Sequence, residues 1–379
     1  EVPACLRPLP VEASLQEYHS YKAQGEIFRA LMMFRMARLW GSFPVITTIA
    51  KTITSDNINE VYPTYYPPRK SPKECYEQII ADLTDAEKYA PDNDNSDRTK
   101  MTKTVAQAML AKVYAEKEVQ DYDKVITYAD KVIKTTGVEL EDSYETLWGY
   151  DETTKDCLKR NTKEGILEVH WTTGSGNWET WMYGRQLDNW DYYFTWAKWI
   201  TPSRDIINDF EKEGDEIRKN QAIVYYACTW SNYYPASNYP FMFKLRSSYS
   251  NIYWIRLADI ILMKAEAEAY KGNLDESAKL VNQIRKRAKL KELTSDKTNS
   301  KEAMIEAVLH ERRLELAFEG ERWFDLCRNN KVEKYLNGID NRDKGRIKQV
   351  KLFDSNSYLL PIPQTALDQN TNLEQNPGY

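Results

Sequence analysis

The sequence has few of the residues that build metal centres or catalytic triads. Its three histidines, His19, His170 and His310, stand far apart, and none has a second histidine at metal-ligand spacing. The five cysteines include no C-x-x-C pair, which disfavours structural zinc and dithiol redox motifs. Phosphate-binding glycine loops and the G-x-S-x-G elbow are also missing. The sequence therefore predicts no metal, no cofactor and no histidine-based catalysis.

Long apolar runs and an excess of basic residues are missing as well. No uncharged apolar run reaches the ~18 residues that indicate a membrane-spanning helix. Residues 1–10 show no signal-peptide pattern. The 52 basic and 57 acidic residues give a net charge of −5, which argues against a general nucleic-acid binder. With 379 residues, 42% of them hydrophobic, the chain can bury a large core, so disordered and disulfide-scaffold classes are excluded.

Helical periodicity is present at both ends of the chain. Apolar residues recur with a 3.6-residue period, and Ser71 and Glu74 flank Pro72 in the pattern of a capping box. The predicted helices span about 23–40, 72–90, 102–118, 122–135, 254–271, 275–288 and 301–319. The pairs 102–135 and 254–288 resemble tetratricopeptide helix-turn-helix units, each of which buries its apolar face only against a neighbour.

Residues 137–250 follow a different pattern. They contain a predicted short strand at 165–170, a helix that begins after Ser203, and many aromatic residues among glycine and asparagine. Six of the 11 tryptophans fall within residues 171–199, a small fraction of the chain. We interpret 137–250 as an irregular, loop-rich insertion carried on a helical scaffold. Loops on a rigid scaffold commonly carry binding residues.

Eight segments follow, in a fixed order, the pattern of a known family. The most specific are Arg256-Leu257-Ala258-Asp259-Ile260 and Phe318-Glu319-Gly320-Glu321-Arg322-Trp323-Phe324-Asp325-Leu326. The complete set is 29–45, 71–91, 98–114, 202–218, 256–288, 311–328, 360–363 and 375–379. Together these segments resemble the SusD/RagB family of nutrient-binding outer-membrane lipoproteins of Bacteroidetes.

The resemblance implies an all-α, SusD-like fold with tetratricopeptide-like helix pairs in a single domain, 1–379. The helical scaffold would be 23–136 and 251–330, the ligand-binding insertion about 137–250, and the C-terminal segment 331–379. It also implies a surface-exposed outer-membrane lipoprotein, with a signal peptide in its precursor and a SusC-type TonB-dependent transporter as partner. Family members normally begin with a lipobox and a long N-terminal region. Val2-Pro3-Ala4-Cys5 lacks the usual lipobox, so Cys5 is not predicted to be the lipidated cysteine.

The Trp-rich part of the insertion is the predicted glycan-binding site. Its aromatic residues follow neither a helical stripe nor strict alternation, so several ring faces are expected to form an exposed patch. Sugars offer an apolar C–H face to an indole and hydroxyls to Asn, Asp and Arg. The predicted ligand-binding residues are Asn177, Trp178, Trp181, Tyr183, Arg185, Asp188, Trp190, Tyr192, Tyr193 and Trp196. Second choices are Trp230, Tyr233 and Tyr234, third choices are Tyr65 and Tyr66, and Trp171 and Trp199 are expected to pack on the core.

Three other functions are compatible with the residues. Peptide capture, as in the RagB branch, would use the same aromatic groove, and a tetratricopeptide adaptor would bind a partner's tail. A glycosidase would need two carboxylates roughly 5–10 Å apart, and only Glu168, Glu179, Asp188 and Asp191 flank the aromatic stretch. We interpret the charged block 311–328, and Arg29, Arg35 and Arg38, as structural ion pairs. The prediction is a binding protein without catalytic residues that captures glycan and delivers it to the transporter.

Overall fold

Most of the described chain is α-helical, which confirms the predicted fold class. The structure, a computed structural model, describes residues 14–379 except 152, 155, 172–200, 229–230, 232, 247–248 and 344–347. Its larger helices are α1 (Leu15–Trp40), α3 (Pro72–Tyr89), α4 (Lys103–Ala115), α5 (Tyr122–Ile133), α7 (Arg204–Glu213), α8 (Glu216–Ala222), α9 (Leu257–Lys271), α10 (Leu274–Arg287), α12 (Lys301–Glu315) and α13 (Arg322–Arg328). Shorter helices are α2 (Ile58–Val61), α6 (Tyr144–Trp148), α11 (Ser295–Thr298), α14 (Val332–Leu336), α15 (Ile339–Arg342) and α16 (Gln364–Gln369). Among these helices, none combines the length and the apolar character that crossing a membrane requires.

Short antiparallel ladders accompany the helices in the described residues. They pair β1 (Tyr150–Asp151) with β2 (Asp156–Cys157), β3 (Gly165–Val169) with β6 (Ile252–Arg256), and β4 (Ile223–Tyr226) with β5 (Tyr239–Met242). The β3 strand confirms the strand predicted near 165–170. The β3–β6 ladder runs from Gly165 opposite Arg256 to Val169 opposite Ile252. It attaches the insertion to the scaffold, because α9 continues directly from β6.

The largest core is formed by α1, α3, α4, α5, α9, α10 and α12. Alanines fill its helix crossings: Ala106 and Ala111 on α4, and Ala258 and Ala265 on α9, are completely buried. A methyl group leaves room for close approach of two helix backbones in a densely packed interior. A smaller apolar cluster around Phe210 joins α7 and α8 to the end of α12.

The two tetratricopeptide-like pairs lie side by side, although a long stretch of chain separates them. Helix α5 of the first pair packs against α9 of the second. Tyr122 stacks on Tyr270 with ring centroids 4.7 Å apart, and Lys264 Nζ lies 2.8 Å from Asp130 Oδ1. The pairs therefore cover each other's apolar faces, as stacked repeats require.

Several predicted helix boundaries were wrong, among them the end predicted near 118, which lies at Ala115. Helix α1 begins at Leu15 rather than near residue 23, because Ser14 and the third helical residue form a capping box. The helix predicted from 254 begins only at Leu257, since the residues before it pair with β3. The helix predicted to reach 319 ends at Glu315, before a turn that contains a glycine with φ of 83°.

The insertion contains regular elements where the structure describes it. Its described part contains the helices α6, α7 and α8 and takes part in all three ladders. The side chain of Ser203 caps α7 by accepting from the Ile206 amide, at the position where the sequence predicted a helix start.

The charged block 311–328 is structural, as interpreted from the sequence, and several of its partners lie on other helices. Glu311 accepts from Arg218 of α8 (2.7 Å) and from Arg285 of α10 (2.9 Å). Arg312 donates to Asp259 at the start of α9 (2.7 Å). These residues are buried, so a charge without a partner on a neighbouring element would be very unfavourable. The pairs therefore join different helices.

Candidate functional site

The ten residues predicted to bind ligand, from Asn177 to Trp196, lie outside the described residues. Trp199, Trp230 and the carboxylates Glu179 and Asp191 lie outside them too. Their roles stay predictions. Trp171, which was expected to pack on the core, is half-buried just after β3.

Tyr233 and Tyr234, the second choices, lie together around an arginine. Arg204 Cζ is 4.4 Å from the ring centroid of Tyr233 and 4.1 Å from that of Tyr234. The Tyr234 hydroxyl donates to the carbonyl of Pro202 (2.7 Å), and the Tyr233 hydroxyl donates to Asp343 Oδ2 (2.6 Å). In this arrangement the two tyrosines pack around the start of α7.

Tyr65 and Tyr66, the third choices, belong to a 3-10 turn, Tyr62–Tyr65, and the residue after it. Tyr65 is exposed, and its hydroxyl donates to the carbonyl of Lys51 (3.0 Å). Tyr66 packs against Tyr62 with ring centroids 5.1 Å apart. The structure does not bring these tyrosines together with Tyr233 or Tyr234 in one described cavity.

A cavity of about 430 Å³ lies beside the β3–β6 ladder. Its volume falls within the range of about 300–1,000 Å³ that is usual for small-molecule sites. Its apolar wall contains Trp148, Met242, Leu245, Ile252, Trp254 and Phe318, and its charged residues are Arg35, Lys244, Glu319 and Glu321. Ile252, which lines the cavity, lies opposite Val169, the last residue of β3. The Trp-rich residues follow β3 in the chain, so they begin at the end of the ladder that borders the cavity.

Lys244 and Arg256 pair with the carboxylate of Glu319 on the cavity wall. Lys244 Nζ donates to Glu319 Oε1 (2.6 Å) and to the Glu315 carbonyl (3.0 Å). Arg256 donates to both oxygens of the Glu319 carboxylate, at 2.6 and 2.8 Å. Burial lowers the pKa of Lys244, against the opposing effect of Glu319. Glu321 is likewise paired with two cations. The carboxylates of Glu319 and Glu321 on the cavity wall are therefore each paired with two cations.

The turn after α12 holds Phe318 on the cavity wall in a strained conformation. Phe318 has φ of 65°, in the left-handed region that bulky residues rarely adopt, at a cost of about 1–3 kcal/mol. Lys244 and Arg256 brace this turn, because both donate to the Glu315 carbonyl and to the Glu319 carboxylate. Backbone strain of this kind is often found at ligand sites.

Trp148 contributes an indole ring to the same wall. Its side chain is 5% exposed, and its Nε1–H has no hydrogen-bond partner among the described residues. Tyr253 packs edge-on against the indole at 5.0 Å, and Lys244 Nζ lies 4.8 Å from the ring centroid. The Nε1 atom itself is buried away from solvent, so Trp148 contributes its ring, not its N–H group, to the cavity. The cavity thus combines aromatic faces with hydrogen-bonding groups.

Glu168 is the described member of the four carboxylates considered for catalysis, and it is committed to structure. It is 1% exposed and accepts from the amides of Asn161 and Thr162, both at 2.9 Å. It also accepts from the Thr162 hydroxyl (2.9 Å), and its second oxygen lies 2.8 Å from His170 Nε2. These bonds fix the loop before β3. In the described residues, no group of three His, Cys, Asp or Glu side chains could hold a metal ion.

Sequence reasoning missed this cavity. Its residues come from α1, α6, the end of β5, β6 and the turn after α12, so no local motif groups them. The residues of β6 gave no local signal, because Ile252-Tyr253-Trp254-Ile255 are all apolar or aromatic, and their alternation of half-buried and buried positions is visible only in the structure.

Comparison with known proteins agrees with this architecture. The family model described as "SusD family" matches residues 243–379, and one described as "Starch-binding associating with outer membrane" matches residues 6–115. The SusD-like protein P2 of Formosa agariphila is 27% identical over 402 residues, which cover 94% of this chain and 74% of that protein. The chain belongs to the SusD/RagB family.

Solved structures of SusD-like proteins share the fold. A SusD superfamily protein from Parabacteroides distasonis superposes with a TM-score of 0.76 at 24% identity, covering 98% of this chain and 81% of that one. A laminarin-binding SusD-like protein superposes with a TM-score of 0.72 at 22% identity, covering 97% of this chain and 81% of that one. The expected SusD-like helical fold is therefore confirmed.

Proposed function

We propose that this SusD/RagB-family protein captures glycans at the surface of the outer membrane and delivers them to a SusC-type TonB-dependent transporter. The observation that carries the proposal is the cavity beside the β3–β6 ladder, with its aromatic faces and its paired charges. Similarity to a laminarin-binding SusD-like protein supports a glycan as ligand.

The cavity matches the two-sided chemistry of a sugar ring. The C–H face of a pyranose is apolar and packs on an aromatic ring, while its hydroxyls exchange hydrogen bonds at the edge. Each hydrogen bond contributes only about 0.5–1.5 kcal/mol net. Binding built from such interactions is reversible, which suits a protein that must release its cargo. The predicted residues from Asn177 to Trp196 are our candidates for further ligand contacts.

The proposed location and partner follow from the family. One of its models carries the description "associating with outer membrane". A lipid anchor on the precursor would hold the protein at the cell surface, next to the transporter that accepts the glycan. Family members are binding proteins rather than enzymes, and the hydrogen bonds that surround Glu168 are consistent with that role.

Affinity gel electrophoresis tests the glycan-binding proposal. We expect gels that contain laminarin, soluble starch or another polysaccharide of a plant and algal panel to retard the wild-type protein. The Trp178→Ala/Trp181→Ala variant should be retarded less. Trp323→Ala is the matched control, because Trp323 packs against Phe353 and does not line the cavity.

Two outcomes would contradict the proposal. If the whole panel leaves mobility unchanged and a peptide library yields binders, the protein captures peptides. If incubation with the purified protein shortens a retarded polysaccharide, as chromatography of the products would show, the protein is an enzyme.

A further inference from the structure

Trp254 is the aromatic residue that best suits a stacking platform in the cavity. It is the central residue of β6, half-buried between the buried neighbours Tyr253 and Ile255. Part of its side chain packs on the main core, and part of it lines the cavity. The β3–β6 ladder and the core fix the position of its backbone, so the indole is held in place before any ligand arrives.

Arg35 lies over this indole. Its guanidinium carbon is 4.3 Å from the ring centroid of Trp254, within the distance of a cation–π contact. Arg35 is on the exposed side of α1, and it lines the same cavity. Such contacts are worth about 0.5–1 kcal/mol at exposed sites. A sugar that stacks on this ring face must first displace the guanidinium.

We propose that Trp254 is the stacking platform for one sugar ring of the bound glycan and that Arg35 covers this platform in the free protein. Ligand entry exchanges the cation–π contact for a sugar–indole contact, and Arg35 moves aside. This inference rests on the proposed glycan-binding function and assigns the residues that carry it out. It differs from the sequence-based interpretation of Arg35 as a purely structural residue.

Other groups around the cavity fit this exchange. Lys244 Nζ donates two hydrogen bonds to protein acceptors, so one of its three hydrogens is available for a ligand hydroxyl. The carboxylates Glu319 and Glu321 are paired with cations, so they do not attract the displaced guanidinium as unpaired anions would. The cavity can therefore accept a neutral sugar ring without leaving a new unpaired charge.

Binding measurements on three variants test the inference, with laminarin and soluble starch as probes in affinity gels and calorimetry. Trp254→Ala should weaken binding about tenfold or more, as for a central contact residue. Trp254→Phe should retain most of the affinity, because it keeps an aromatic face. Arg35→Ala should strengthen binding, with about two- to fivefold expected from the cation–π contact, which corresponds to about 0.5–1 kcal/mol at 1.4 kcal/mol per tenfold.

Controls separate a binding role from a structural one. Met36→Ala changes the next exposed residue of α1 and should leave affinity unchanged. Thermal unfolding of every variant confirms folding before binding is compared. If Trp254→Ala binds with wild-type affinity, Trp254 is not the stacking platform. If Arg35→Ala binds more weakly than the wild type, Arg35 does not act as a cover that the ligand must displace. If neither polysaccharide binds the wild-type protein while another glycan of the panel does, that glycan replaces them as the probe. If no glycan binds, the proposed function and this inference fail together.

Discussion

Glu116 shows how strongly the surroundings of one residue can change its chemistry. It follows α4, is 6% exposed, and borders a cavity of about 130 Å³ between α1, α3, α13 and the C-terminal segment. Burial raises the pKa of Glu116 to about 7, against the opposing effects of Arg328 and Arg38.

We therefore expect Glu116 to make the protein less stable as the pH rises. The folded protein binds this proton more tightly than the unfolded chain, where the pKa is near 4.5. The contribution of the protonated Glu116 to the free energy of unfolding is fully present below about pH 4.5 and is lost as the pH rises through about 7. Because one pKa unit is worth about 1.4 kcal/mol, the total loss is about 3 kcal/mol.

The Glu116→Gln variant isolates this effect, because glutamine is uncharged at every pH. Its free energy of unfolding, measured by urea titration from pH 4 to pH 8, should exceed that of the wild type by an amount that grows with pH. Glu118→Gln, a neighbour with a partly exposed side chain, is the control and should track the wild type. A constant difference between Glu116→Gln and wild type across this range would refute the assignment.

At the scale of elements, α3 shows why some helices were predictable. Ser71 Oγ accepts from the Glu74 amide at 3.3 Å, and Glu74 Oε2 accepts from the Ser71 amide at 2.9 Å. This capping box uses residues three positions apart, so the sequence alone was sufficient to predict it. The same holds for the periodic stripes of α4, α5 and α10, whose signals are also local.

Removing the cap of α3 should have a measurable and limited effect. Ser71→Ala leaves the Glu74 amide without its acceptor, and we expect a loss of about 1 kcal/mol in the free energy of unfolding. The control Ser55→Ala removes a hydroxyl that bonds only to the adjacent Asp56, so its effect should stay within about 0.5 kcal/mol. Equal effects of the two substitutions would argue against the capping box as a source of stability.

Elements that depend on distant partners were harder to predict. The sequence Ile252-Tyr253-Trp254-Ile255-Arg256 reads as the start of a helix because it precedes the strong helical stripe of α9. It forms a strand instead, since its backbone pairs with β3. The end of α12 at Glu315 was missed for the same reason, because Lys244 and Arg256 bind its last carbonyl from other parts of the chain.

On the scale of the whole molecule, the candidate site depends on long-range packing. The Trp-rich residues could be found from the sequence, because their tryptophans lie close together along the chain. The cavity was not, because Arg35, Trp148, Lys244, Trp254 and Phe318 become neighbours only when α1, α6, β6 and the turn after α12 pack together. Family resemblance gave the architecture, but it could not give the lining of this cavity.

A buried network centred on Arg256 connects these parts. Arg256 is 1% exposed and donates to Glu164 before β3 (2.7 Å), to Glu315 of α12 (2.7 Å) and to Glu319 in the following turn (2.6 Å). Burial by itself would raise the pKa of Glu315, but the charges of Arg287, Arg256 and others hold it well below its ordinary value. The network thus stays ionised and joins the insertion to the scaffold.

Breaking this network should destabilise the whole molecule. Arg256→Met leaves the buried carboxylates of Glu164 and Glu315 and the partly buried one of Glu319 with one cation fewer, and loss of one partner of a buried ion pair costs about 3–5 kcal/mol. Adding Glu319→Gln should restore part of the loss, because it removes one of the carboxylates that Arg256 no longer neutralises. Lys331→Ala breaks a more exposed pair with Glu306 and should cost less than about 1 kcal/mol. Urea unfolding measures all three variants, and an Arg256→Met protein as stable as Lys331→Ala would show that the network does not join insertion and scaffold energetically.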